Sequence, residues 1–414
     1  MKATMRGLAV IKEDAVQVTE MIIKKLTETL GKVCKNPSNP HFNHYLFESI
    51  AVLVRSVCST DAKYVQSFEG LLFPPFNHVL QMEVTEFTPY VFQVLAQLLE
   101  YSSASELSAG YEGLFQPLLT PALWESKGNV PALTRLVCAY VFKGGKQIIA
   151  KGHLLGILGV FQKLISSKAN EHYGFLLMGS LVEFAGADAL RAHIVEVFNI
   201  LLMRLQNSKT VRYTRHISLF FSLVIGKWGA SAWLQILNSV QPGLGGMLLK
   251  QVWLPCVMTE SAFNRSDTKT MIVGMIMLMK EPDIAGMDNG NVWATMVCAI
   301  LKLVGSGNVL MSSADDGKHN EDGGDDVEIE IRFDSSFSKL HFAGKPVTDK
   351  FPDISDPAGL LAKSIQECCA LKPGALSSLL QAECRNPKVI EACGELNVET
   401  LLGTLLQKYG LSLT

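Results

Sequence analysis

The chain has 414 residues, of which 48% are hydrophobic and 18% charged, and its 37 Lys and Arg against 39 Asp and Glu give a net charge of −2. This apolar fraction excludes a disordered chain, and the balanced charge excludes binding through a net positive field, as many nucleic-acid-binding proteins show. The nine cysteines are an odd number and lie mostly within apolar runs. They favour a reducing compartment over a secreted disulfide scaffold.

Two apolar stretches are candidates for a targeting or membrane segment, and neither is long enough. The first, Leu8 to Ile11, is too short for the core of a signal peptide. The second, Met271 to Met279, ends at Lys280 and is about half the ~20 residues that a membrane span requires. Because it is hydrophobic all round, it predicts a buried helix rather than a methionine-lined binding stripe.

Helical periodicity dominates the chain. Between Asn43 and Cys58, for example, apolar residues recur at steps of three and four, which places them on one face of a helix. The one alternating pattern that predicts a strand runs from Val327 to Phe333. The sequence therefore predicts an all-α fold.

Helix-start signals recur at regular intervals and suggest repeats. They lie at Asn39, Thr88, Asn129, Lys168, Asn207 and Asn264. The two middle spacings are 39 residues, close to the 40–47 residues of HEAT repeats, which are antiparallel helix pairs, and the outer spacings drift to 49 and 57. The period predicts a HEAT-repeat superhelical solenoid, and an irregular all-helical globule is the alternative.

One segment breaks the helical pattern. Residues 305–350 hold no helical face, and between Asp315 and Glu330 eight acids stand against the single Lys318. Because inserted loops of repeat proteins often bind partners, we interpret the segment as an acidic inserted loop, with a solvated spacer as the alternative. The predicted domains are repeats over 1–304, this loop over 305–350, and carboxy-terminal repeats over 351–414. Its predicted partner-binding residues are Asp315, Asp316, Asp322, Asp325, Asp326, Glu328 and Glu330.

Charge is unevenly distributed along the chain. Residues 127–227 hold 13 Lys and Arg against four acids, and residues 281–330 hold 11 acids against two bases. Two opposite patches suit partners that carry charged segments themselves, although each patch is equally compatible with a solvated surface.

No motif predicts catalysis, a cofactor or a metal site. The glycines of 144–145 and 243–246 are not preceded by strands, so the second group is interpreted as a turn rather than a dinucleotide loop. His41 and His44 are two potential ligands but not a site, and the adjacent Cys368 and Cys369 are assigned to the core. The chain is therefore predicted not to be an enzyme, and a helical enzyme with a cysteine or metal site is the alternative.

Six blocks of sequence are more specific than generic helical repeats. The first reads KNPSNPHFNHYLFE, and together they cover 35–48, 86–94, 124–133, 158–170, 204–210 and 342–345. In this order they resemble the CAS family of importin-alpha re-exporters, within the importin-beta superfamily. The resemblance is weak around 230–300 and over the last 50 residues.

The resemblance implies a non-catalytic nuclear transport receptor that shuttles between nucleus and cytoplasm. Its implied partners are importin-alpha and Ran in its GTP form, with nuclear pore proteins as further candidates, and neither nucleic acid nor membrane insertion is expected. In the family these blocks lie in the second half of a chain about twice as long, so a fragment without the Ran-gripping amino-terminal repeats is expected. A generic helical scaffold without a transport role is the alternative function.

Overall fold

The computed structural model describes residues 15–259, 263–306, 339–344, 348–372 and 374–413. The chain divides into two compact units. Of the described residues, unit 1 contains 15–186 and 339–344, and unit 2 contains 187–259, 263–306, 348–372 and 374–413. Regular secondary structure in the described ranges is helical, without a strand. The predicted strand between Val327 and Phe333 lies outside these residues.

Unit 1 is a stack of helices joined by short connections. The helices are α1 (Ala15–Val33), α2 (Pro40–Cys58), α3 (Val65–Gln81), α4 (Thr88–Tyr101), α5 (Ala109–Leu118), α6 (Asn129–Ala150), α7 (Leu154–Ser166) and α8 (Glu171–Phe184). Helix α1 packs against α2, α3 against α4, and α7 against α8. In addition, α2, α4, α6 and α8 pack side by side in that order.

The core of unit 1 is joined across the stack by buried aromatic residues. Phe47 of α2 stacks on Tyr90 of α4, with ring centroids 5.0 Å apart. The Tyr111 hydroxyl donates to the Leu95 carbonyl at 2.8 Å, and the Tyr140 hydroxyl donates to the Tyr111 carbonyl at 2.9 Å. Each buried hydroxyl thus has a partner on a neighbouring helix, which fixes the register between successive pairs.

Unit 2 repeats this plan with more irregular connections. The elements are α9 (Ala187–Leu190), α10 (Ile194–Asn207), α11 (Val211–Trp228), α12 (Ala230–Val240), α13 (Leu244–Leu248), a π-helical turn (Leu249–Trp253), α14 (Leu254–Thr259), α15 (Arg265–Met279), α16 (Pro282–Ala285), α17 (Asn291–Gly305), α18 (Pro357–Leu371), α19 (Ala375–Cys384), α20 (Pro387–Cys393) and α21 (Val398–Lys408). Helices α11, α15, α17 and α19 pack side by side in that order.

The repeat anchors identified in the sequence mark the starts of the side-by-side helices. Asn39 caps α2, its Oδ1 accepting from the Phe42 amide at 3.1 Å, and Asn264 caps α15 in the same way. Thr88 and Asn129 are the first residues of α4 and α6. The long interval before Asn264 is explained by the extra short helices between α11 and α15.

Helix α15 is buried on nearly all sides, as its sequence predicts. Met271, Met275 and Met279 are fully buried, whereas Met277 is partly exposed. The Met271 Sδ lies 2.9 Å from Trp253 Nε1 and 3.1 Å from Ser222 Oγ. In the described part of the chain, no helix combines the length and apolarity needed to cross a bilayer.

The prediction of a turn over 243–246 is only partly correct. Gly243 does form the turn, with a φ of +76° that favours glycine, but residues from Leu244 onward form the short helix α13. The glycines at 144 and 145 lie within α6, where Gly144 leaves the helical range and packs against Leu107. Neither group forms a phosphate-binding loop.

Candidate functional site

The acidic residues predicted to bind partners lie outside the described residues. They are Asp315, Asp316, Asp322, Asp325, Asp326, Glu328 and Glu330. Their role therefore stays a prediction. Among the described residues, a site with buried polar side chains lies where Lys339 and the residues after it contact unit 1.

Residues 339–344, called the strap below, are not part of a helix and lie against unit 1. Their main chain is held by Glu48 of α2, whose side chain is only 4% exposed. One carboxylate oxygen accepts from the His341 amide at 2.6 Å, and the other accepts from the Phe342 amide at 3.1 Å. A buried carboxylate needs donors, and two successive amides of the strap provide them.

Two glutamines of α4 extend this site. The Gln93 Oε1 accepts from the Leu340 amide at 2.8 Å, and the Gln97 Nε2 donates to the Phe342 carbonyl at 3.0 Å and to the Ala51 carbonyl at 3.1 Å. Gln93 and Gln97 are 2% and 1% exposed. Their spacing of four residues places them on one face of α4, next to Glu48 on α2.

Helix α6 supplies the third side of the site. The Arg135 guanidinium is held by two hydrogen bonds to Glu100, from Nε at 3.2 Å and Nη2 at 2.7 Å, and Nη2 also donates to the Ala343 carbonyl. Within the strap, the Gly344 amide donates to the His341 carbonyl at 3.1 Å and closes a tight turn. Glu48, Gln93, Gln97 and Arg135, named the ladder below, thus hold one short turn by its main chain.

Sequence reasoning missed the ladder, although a signal for it exists. Glu48, Gln93 and Gln97 are polar residues within runs that are otherwise apolar, in helices buried on most sides. A buried polar side chain requires a partner, so each marks a contact that the helix itself does not provide. Their partner could not be located because the strap is more than 240 residues away in sequence.

A second irregular stretch, residues 348–351, lies against unit 2. The Phe351 ring packs on Gly226 of α11, where a Cβ would lie 2.4 Å from the ring. The Lys227 Nζ donates to the Lys350 carbonyl at 2.6 Å and lies 4.8 Å from the centroid of the Phe351 ring. Glycine at 226 is therefore required by the close approach of an aromatic ring, not by backbone conformation.

Several basic residues of the tract 127–227 are used within the chain. Lys151 pairs with Glu112 at 2.6 Å, and Lys209 donates to the Gln251 carbonyl at 2.7 Å. Together with Arg135 and Lys227, they show that part of the predicted positive patch satisfies carboxylates and carbonyls of the protein itself. The charge available to a partner is therefore smaller than the net charge of the tract.

Cys368, Cys369 and His44, considered above as possible redox or metal-binding residues, lie at buried or half-buried positions. Cys368 and Cys369 are buried, which confirms their assignment to the core. His44 is half-buried with its Nε2 3.6 Å from Glu48, and burial lowers the pKa of this imidazole more than the nearby carboxylate raises it. Among the residues that the structure describes, no group of three or more His, Cys, Asp or Glu side chains is arranged to hold a metal ion.

Comparison with known proteins identifies the relatives of this helix stack. Residues 1–390 match the family model described as CAS/CSE protein, C-terminus. The chain belongs to the CAS/CSE family. Relatives in that family include exportin-2 of Danio rerio, which is 39% identical over 384 residues, and the exportin-2 proteins of Drosophila melanogaster and Homo sapiens, at 36% and 35%. Each alignment covers 92% of this chain and 39% of the relative.

A solved CAS/CSE structure has the same fold. It is described as the exportin Cse1 in its cargo-free, cytoplasmic state, and it matches 97% of this chain and 39% of its own length with a TM-score of 0.77 and 25% sequence identity. The predicted all-α HEAT-repeat fold and the resemblance to the CAS family are thereby confirmed. The chain spans about two fifths of the length of these relatives.

Proposed function

We propose that this chain is a non-catalytic, protein-binding region of a nuclear export receptor that carries importin-alpha out of the nucleus together with GTP-bound Ran. The observation that carries the proposal is the CAS/CSE family match over residues 1–390, together with exportin-2 relatives at 35–39% identity. Such a receptor shuttles between nucleus and cytoplasm, and nuclear pore proteins are candidate partners during passage.

The helix stack suits reversible binding of large partners. In HEAT repeats each pair contacts mainly its neighbours, so small rotations between pairs add up to a change in curvature. A receptor of this kind needs no catalytic group of its own, because the free energy for release comes from GTP hydrolysis on Ran. Repeated helix pairs suit this role. The ladder in addition holds a non-helical segment against helices from three successive pairs.

The acidic segment around Asp322, Asp325 and Asp326 is proposed to attract a basic segment of importin-alpha. Opposite charges accelerate association, and the acceleration falls as salt screens the field. Replacing all three by asparagine should slow association at low salt by about tenfold or less and flatten its salt dependence. An unchanged association rate at low salt would contradict a role for this segment.

Calorimetry of the 414-residue chain with importin-alpha, with and without GTP-loaded Ran, tests the proposal directly. We expect binding that becomes tighter when GTP-loaded Ran is present, because the two ligands stabilise the same state of the receptor. Ran loaded with GDP is the matched control. If the affinity for importin-alpha is the same with GTP-loaded and GDP-loaded Ran, coupling to the nucleotide is contradicted.

A further inference from the structure

The ladder has the features of a binding site rather than of ordinary packing. Its residues on α2 and α4 are buried, yet Glu48, Gln93 and Gln97 direct hydrogen-bonding groups to a segment that belongs to neither helix. Without the strap, the buried Glu48 carboxylate would lose two amide donors. An empty site is therefore less favourable than one occupied by peptide main chain.

The strap is recognised almost wholly through its backbone. The ladder contacts the amides of residues 340–342 and the carbonyls of Phe342 and Ala343, and none of these contacts uses a strap side chain. Only the side chains of Leu340 and Ala343 are fully buried, whereas His341 is exposed. Selectivity would therefore reside in an aliphatic residue, a small residue three positions later, and a turn that brings two successive amides to Glu48.

The strap does not satisfy the site completely. The Gln97 Oε1 is buried and has no hydrogen-bond partner among the described protein groups, although the Nε2 of the same amide donates to the strap. A buried acceptor without a donor destabilises the arrangement that contains it. A different occupant that placed a donor at this oxygen would be held better than the resident strap.

We propose that the ladder is a peptide-binding site, that the strap occupies it in cis, and that a turn-forming segment of a partner protein takes its place in trans. The segment would carry an aliphatic residue, two variable residues, and then a small residue followed by glycine. The peptide-binding site requires no particular partner and does not depend on the transport role. An experiment can therefore disprove either proposal without disproving the other.

Competition by the tethered strap sets the expected size of the effect. A segment linked by a short chain acts at an effective concentration on the order of millimolar. A free peptide with an affinity of about 100 µM for the empty site would thus be weakened roughly tenfold or more by the resident strap. Releasing the strap should therefore reveal binding that the unmodified chain conceals.

The test uses the full chain with Ala343→Arg, which places a long charged side chain at a fully buried position. His341→Arg is the matched control, because it adds the same residue to the same strap at an exposed position. Hydrogen exchange of the amides of 340–342 reports whether the strap has left. Fluorescence anisotropy with a labelled peptide of the sequence Ser-Lys-Leu-His-Phe-Ala-Gly-Lys reports whether the site accepts a peptide.

In Ala343→Arg we expect these amides to exchange at least a hundredfold faster and the peptide to bind at least tenfold more tightly than to the unmodified chain or to His341→Arg. Adding Glu48→Ala to the Ala343→Arg chain should abolish peptide binding. A strap that stays protected in Ala343→Arg, or a released strap without improved peptide binding, would overturn the proposal.

If Ala343→Arg loses its helical circular dichroism, Leu340→Ser provides a milder variant for the same two measurements, because it removes the aliphatic anchor without adding bulk. Loss of the fold in both variants would also overturn the proposal. It would show that the strap is an indispensable brace and not an exchangeable occupant.

Discussion

The carboxylate of Glu48 accepts a hydrogen bond from the backbone amide of His341, 2.6 Å away in space and 293 residues later in the chain. Its second oxygen accepts from the next amide, that of Phe342. A single side chain of α2 thus binds two successive amides of the strap and, with Gln93, Gln97 and Arg135, holds it against unit 1. These two bonds are among the contacts that join the helix stack to the segment that follows the acidic region.

Glu48→Gln should weaken this link while preserving side-chain volume. A glutamine can accept through one oxygen only, and its NH2 group would face an amide donor. Because hydrogen bonds to charged groups are worth about 1.5–3 kcal/mol, we expect a loss of about 2 kcal/mol in the free energy of unfolding, measured by urea denaturation. Glu106→Gln, at an exposed position, is the control. Equal stability of the two variants would contradict a structural role for the Glu48 charge.

Gly274→Ala should destabilise unit 2, because its Cβ would lie 2.4 Å from the Ser222 Cα of α11. Backbone atoms cannot move aside as a flexible side chain can, so we expect a loss of about 1–3 kcal/mol.

The matched control is Gly159→Ala in α7, where an added Cβ meets nothing within 4 Å. There alanine should stabilise the helix by about 0.5–1 kcal/mol. Thermal unfolding of both variants should therefore give shifts of opposite sign. A gain in stability from Gly274→Ala would show that α11 and α15 are farther apart than described.

The nine cysteines should separate into two groups by their reactivity. Seven are buried, and Cys34 and Cys138 are partly exposed. Burial raises the pKa of the Cys58 thiol to about 12, and only the thiolate is nucleophilic. Titration with a chromogenic disulfide at pH 8 should therefore label Cys34 and Cys138 first and the other seven only on unfolding. Rapid labelling of Cys58 in the folded chain would contradict its burial.

Tyr409 should make stability depend on alkaline pH. Burial and the hydrogen bond from its hydroxyl to Asp356 Oδ2, at 2.7 Å, raise the pKa of Tyr409 to about 12 from an ordinary value of 10.0. Because the folded-state pKa is the higher one, the contribution is complete below about pH 10 and is lost as the pH rises towards 12.

The comparison of the unmodified chain with Tyr409→Phe isolates this effect from the other tyrosines. The difference in unfolding free energy between the two should be constant between pH 7 and 9 and shrink above pH 10. A difference that stays constant up to pH 12 would contradict the predicted role of the hydroxyl.

Much of the helix stack could be predicted because its signals are local. Asn39 and Asn264 cap helices that begin at the next residue, and the apolar run from Met271 specifies a buried helix by itself. The drift of the repeat period before Asn264 could be seen but not explained, since α12, α13 and α14 have no fixed length in a repeat pattern.

The ladder could not be predicted because its contacts are not local. The irregular pattern after residue 305 was interpreted as a loop, and nothing in a helical period indicates that Leu340 and Ala343 are buried. Glu48 within an apolar run indicates only that some partner is needed. Which segment meets this need depends on how the chain returns after the acidic region, and that is a property of the tertiary structure.

The most direct test of the account is a chimera in which this chain replaces the matching 39% of Danio rerio exportin-2. If the chain is the importin-alpha-exporting region that we propose, the chimera should bind importin-alpha more tightly with GTP-loaded Ran than with GDP-loaded Ran, within about tenfold of the parent protein. A chimera that unfolds cooperatively, with the circular dichroism of the parent, but binds no importin-alpha under either condition would contradict the proposed function.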